Sequence, residues 1–133
     1  MIMIRTPYWW LERDVGAAWF RLRRTAEPFA SNEDIVQVAQ TIEKKLLGGV
    51  DLSRLGFLVD LRDGPLRNDP EWERIIGPWQ VKMMSSFGRV AILVKTPAGK
   101  LQMTRIVRTL HASAEVFDQE KAAIDWLRSP PRA

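Results

Sequence analysis

The sequence predicts an α/β domain: an N-terminal β-hairpin followed by parallel βαβ units, about five strands and four helices in all, with the sheet covered by helices. Three observations predict it. Leu55–Leu61 and Val90–Val94 are near-continuous apolar runs, as strands buried on both faces show. Segments of helical period, bounded by caps and breakers, stand between and after them. A chain of 133 residues with 46% apolar content suits one domain, 1–133, able to bury a core.

Tyr8–Arg13 and Ala17–Arg24 read as two strands around a turn at Asp14-Val15-Gly16. In the second, Phe20 and Leu22 share one face while Trp19 lies with Arg21 and Arg23 on the other. Ser31 caps a helix whose first turn carries Glu33 and Asp34, with Ile35, Val38, Ala39, Ile42 and Leu46 on one stripe. Lys44 and Lys45 suit its last turn, and Gly48-Gly49 ends it. After the first apolar strand, Asp69-Pro70-Glu71 opens a second helix with Trp72, Ile75, Ile76, Trp79 and Met83 inward. Gly77-Pro78 inside it predicts a kink or a split. Thr96-Pro97 caps a third helix with Met103, Ile106, Val107 and Leu110 inward. Ala114–Phe117 reads as a short last strand, and Asp118 as the cap of a final helix with Ala122, Ala123, Trp126 and Leu127 on its apolar face. The predicted order is ββαβαβαβα, which demands parallel pairing through right-handed crossovers.

Composition excludes several chemistries. There is no cysteine, so neither disulfides, thiolate metal sites nor a thiol nucleophile exist. The single histidine, His111, excludes two-histidine zinc motifs and leaves a Ser-His-Asp site without support. His111 falls at the end of the third helix, where a cation complements the dipole. No apolar run approaches the roughly 18 residues of a membrane span, and the opening residues lack the apolar stretch of a signal peptide. A soluble cytoplasmic domain is expected.

Charge is segregated. The net +4 combines an acidic stretch over 32–73, nine acids against five bases, with an acid-free stretch over 74–113 carrying seven bases. Such a block can favour an acidic partner. Its bases are dispersed rather than clustered, which favours a solvated surface over a nucleic-acid interface.

Ligands of open α/β sheets meet the loops at the carboxyl ends of parallel strands. The loop after the first apolar strand is the richest in polar groups, with Asp60, Arg62, Asp63, Arg67, Asn68 and Asp69 around Gly64-Pro65. Arg62 and Arg67 suit bidentate contact with a carboxylate or phosphate. The plainer alternative is a self-satisfied turn, with Asp69 as helix cap and the arginines paired locally. Asp60 ends a buried strand, where burial would perturb it and Arg62 would offset that. No spacing among these acids selects a metal loop, and no cofactor is expected. Adjacent Trp9 and Trp10 must face opposite sides of a strand, so one of them is a candidate exposed aromatic at an interface. Trp79, Met83 and Met84, near the Gly77-Pro78 break, are candidates for an apolar pocket.

The chain resembles the SpoIIAA-like family within the STAS (anti-sigma-factor antagonist) fold. The resemblance rests on the opening hairpin, on Phe57-Leu58-Val59-Asp60-Leu61-Arg62 and on Arg89–Val94. The helix through Leu101–Arg108 and the closing Val116-Phe117-Asp118 with Ala123–Leu127 add to it. These are framework motifs covering nearly the whole chain. Regulatory members of that fold carry a phosphorylatable Ser or Thr at the helix start after the strand matched by Phe57–Leu61. Here Arg62 to Pro70 contains none, and no hydroxyl lies between Ser53 and Ser85. The resemblance therefore implies a non-enzymatic regulatory or protein-interaction module without the phospho-switch. Its expected partner is a protein, with a homodimer as one form. Arg62, Asp63, Arg67, Asn68, Trp9, Arg105 and Arg108 are the expected contact residues. The alternative is a carrier of a small apolar ligand or lipid, as in a SEC14-like relative of the fold, with Trp79, Met83 and Met84 lining its pocket.

Overall fold

The computed structural model describes residues 2–13, 18–48, 51–64, 70–108 and 113–128. Six strands form one sheet in sequence order: β1 (Ile2–Arg5), β2 (Trp9–Glu12), β3 (Trp19–Arg24), β4 (Gly56–Asp60), β5 (Arg89–Leu93) and β6 (Ser113–Phe117). β1, β2 and β3 pair antiparallel, and β3 through β6 pair parallel. Four α-helices, α1 (Asn32–Leu46), α2 (Pro70–Ser86), α3 (Pro97–Val107) and α4 (Glu120–Arg128), complete an α/β architecture. The expected strand count rises from five to six. The addition is β1, four residues with a register shift between Ile2 and Ile4, too short and irregular for a period-2 pattern.

Because β3, β4, β5 and β6 follow one another across the sheet, right-handed crossovers place α1, α2 and α3 on the same face. The core follows this rule. Phe20, Leu22, Phe57, Val59, Val90 and Ile92 alternate onto that face and pack with Ile42 and Leu46 of α1, Met83 and Met84 of α2, and Met103 of α3. Leu58, Ala91 and Leu93 point the other way, against Ala123 and Leu127 of α4. All five residues of β4 are buried, as its unbroken apolar run requires. Phe87 stacks on Phe57 with ring centroids 4.3 Å apart.

Local chemistry sets the element ends. The Ser31 hydroxyl accepts from the Asp34 amide at 3.1 Å, and the Thr96 hydroxyl from the Gly99 amide at 3.0 Å, with Pro97 opening α3. α4 begins at Glu120, and the Ala123 amide bonds the Gln119 carbonyl, so Gln119 rather than Asp118 occupies the cap position. Ala122 is exposed, and Ile124 packs in its place. α2 runs through Gly77-Pro78 unbroken instead of splitting. Pro78 cannot donate to the Arg74 carbonyl, and both residues are exposed, on the solvent side of the helix. The Asp14-Val15-Gly16 turn, the Asp69 cap, Leu110 and His111 lie outside the described residues.

Candidate functional site

The parallel strands β3, β4 and β5 end at Arg24, Asp60 and Leu93, and the chain beyond them forms two adjoining features.

The first is a charged cluster on the α4 side. Asp60 is 3% exposed, and its Oδ2 accepts from Nη2 of Arg21 and from Nη2 of Arg62, both at 2.9 Å. Arg62 also donates Nε to Oδ1 at 3.0 Å, completing a bidentate pair, and its amide bonds the same oxygen at 3.2 Å. Glu120, at the start of α4, accepts from both Arg21 and Arg62. Burial alone would raise the Asp60 carboxyl, but the hydrogen bonds from Arg62 and Arg21 outweigh it and hold the pKa at about 2. The hydrogen bond from Arg21 likewise lowers Glu120. In this ion network two carboxylates bind two guanidiniums and staple α4 to β3 and to the end of β4, with Arg21 Nε left buried and unpartnered.

The second feature is a cavity of about 880 Å³, within the range of about 300–1,000 Å³ common for small-molecule sites. Its apolar part lies on the helix side, where Leu61, Val94 and Met84 meet Met103 and Ile106 of α3. α2 contributes Gly77, Gln80 and Val81 to the wall. A Cβ built on Gly77 would meet no atom within 4 Å, so open space faces α2 there. From that region the cavity passes over the strand ends. Strand alternation puts Trp10, Arg23 and Arg62 on the opposite face, and all three contribute to the lining. The lining thus combines apolar side chains on the helix side with the guanidiniums of Arg23 and Arg62 across the strand ends, and Arg24 and Asp63 also contribute to it.

The two neighbouring arginines of β3 differ. Arg24 is 6% exposed and donates Nη1 to the carbonyls of Tyr8 at 3.1 Å and Thr25 at 2.8 Å. Its guanidinium lies 4.3 Å from the Phe29 ring centroid. Gly64 passes so close that a Cβ there would stand 2.6 Å from Arg24 Cγ. Arg24 is thus a structural tie between β2, β3 and the loop after β4. The Arg23 side chain makes no hydrogen bond or ion pair among the described residues, and its Nε is buried without a partner. An unsatisfied buried donor costs about 1–3 kcal/mol.

The residues singled out from the sequence are dispersed by the fold. Arg62 and Asp63 line the cavity, and Arg62 is also the bidentate partner of Asp60. Arg67 and Asn68 lie outside the described residues. Trp9, one of the expected contact residues, is instead buried at 4%; Trp10 is the more accessible of the pair, and the Arg5 guanidinium stands 4.1 Å from its ring centroid. Arg105 and Arg108 are exposed along and at the end of α3. Of the three pocket candidates, Met84 lines the cavity, Met83 is core, and Trp79 packs instead against Ile35 and Ala39 of α1. Arg23 and Val94 are not among the residues the sequence singles out for a site, and Gly77 is read there only as a helix break. The available signal was the position of Arg23 at the carboxyl end of a parallel strand.

Comparison with known proteins places this arrangement. A model of the family described as SpoIIAA-like matches residues 22–128. A solved structure with 17% sequence identity superposes with a TM-score of 0.67, covering 94% of this chain and 98% of that one. It is an uncharacterized protein of the DUF3478 family with a SpoIIAA-like fold from Shewanella loihica PV-4. No curated protein matches.

Proposed function

The chain belongs to the SpoIIAA-like family, whose fold supports a regulatory or interaction module, and from that premise we propose that it is a non-enzymatic module that binds a small, largely apolar ligand. The observation that carries this reading is the cavity of about 880 Å³ between α2, α3 and the ends of β3–β5. It sits where open parallel sheets take their ligands. The non-enzymatic part is supported by Asp60, which two guanidiniums hold ionised near neutral pH and which is therefore not poised to carry a proton. Native mass spectrometry of gently purified protein tests the reading. A reproducible small-molecule mass that survives desalting and dissociates on collisional activation is the expected result. A bare chain from every preparation, with none acquired on incubation with a lipid extract, would overturn it.

A second reading, a protein-docking surface, is favoured by the outer face of α3. Leu101 is 57% exposed there, with Lys100, Arg105 and Arg108 also exposed around it. An apolar centre ringed by cations suits an acidic protein partner, and this face is separate from the cavity lining contributed by Gly99, Gln102, Met103 and Ile106.

A further inference from the structure

We infer that the cavity is built for a single-chain amphiphile with an anionic head, a carboxylate or phosphate monoester, and that Arg23 is the residue that holds the head. The inference rests on reading the cavity as a ligand site and adds the chemical class of the ligand.

Three observations converge. The lining has both chemistries an amphiphile needs: Met84, Val94, Met103 and Ile106 suit a hydrocarbon tail, and Arg23 and Arg62, on the opposite face of the sheet, suit an anion, with Asp63 the carboxylate in the lining and Arg24 committed to the Tyr8 and Thr25 carbonyls. The guanidiniums of Arg23 and Arg62 are not equivalent. Arg62 is already held by Asp60 and Glu120, whereas no hydrogen bond or ion pair holds the Arg23 side chain among the described residues. A planar fork of donors without an acceptor is what a carboxylate or phosphate would complete. Finally, Asp60 is withheld from Arg23 although the two are register partners across β3 and β4, because Arg21 and Arg62 occupy its oxygens. The network keeps Arg23 available. Lys95, also in the lining, is exposed and adds only a screened charge.

A matched pair of probes tests this. Decanoate and decanol share a tail and differ in the head, and each is titrated calorimetrically into the wild-type protein and into Arg23→Gln. Wild type is expected to bind decanoate about tenfold or more tightly than decanol. Arg23→Gln is expected to bring decanoate down to the level of decanol and to leave decanol unchanged. The substituted side chain loses no hydrogen bond that the structure contains, and matching melting curves confirm the fold. Arg23→Lys, keeping the charge without the fork, falls between the two. Equal binding of both probes, unaffected by the substitution, would overturn the anion site and leave the apolar cavity standing. Binding of neither probe would overturn the cavity reading along with it. Inorganic phosphate binding as tightly as decyl phosphate would show an anion site without a tail, and would also overturn the amphiphile.

Discussion

At the scale of single residues, Asp60 shows what the charged cluster is for. Its carboxyl is pulled from 3.8 to about 2 against the opposing effect of burial, by hydrogen bonds from Arg62 and Arg21. Since the folded-state pKa is the lower one, the stabilisation is complete above the unfolded value and is lost as pH falls through the folded value. The shift corresponds to roughly 2 kcal/mol, lost between about pH 4 and pH 2. Glu120, also lowered, works in the same direction. Urea midpoints measured from pH 6 down to pH 2 should fall across that window, and Asp60→Asn should flatten the fall while costing roughly 3 kcal/mol at neutral pH. The sequence put Asp60 and Arg62 side by side and showed that one would offset the burial of the other. It did not show Arg21, 39 positions from Asp60, or Glu120, 58 positions from Arg62, because such pairs exist only once β3, β4 and α4 converge. Arg62, readable from sequence as a free recognition residue, is therefore first a structural partner.

At the scale of elements, capping chemistry and period were enough to locate α1 and α3. Ser31 and Thr96 accept the amide bonds their positions suggest. β1 was not legible, because four residues at a sheet edge carry too little alternation to be read. Two glycines at element positions have opposite requirements. Gly77 faces open space beyond α2 but directly precedes Pro78, whose Cδ crowds a Cβ on helical backbone, so helix propensity and this clash oppose each other and Gly77→Ala should change stability by less than about 1 kcal/mol. Gly88 enters β5 beside the Ser53 backbone, where a Cβ would come within 2.4 Å of the carbonyl oxygen. Gly88→Ala must push two backbone segments apart and should destabilise by about 1–3 kcal/mol. Equilibrium unfolding in urea compares the two variants directly, and equal effects of the same sign would contradict this assignment of space.

At the scale of the whole molecule, sheet order and the two-faced core agree with the α/β architecture that the apolar runs predict. The cavity was legible only in fragments. Met84 belongs to it, but its other walls come from the ends of three strands and from the facing sides of α2 and α3, which no local pattern brings together. The central claim is that this cavity takes an apolar tail. Its most direct test is a titration of isotopically labelled protein with decanol, followed through the backbone amide resonances. Saturable shifts are expected at Leu61, Val81, Val94, Gly99 and Met103, around the apolar lining, with the outer face of α3 at Lys100, Leu101 and Arg105 least affected. Shifts concentrated on that outer face, or none at saturating decanol, would contradict it.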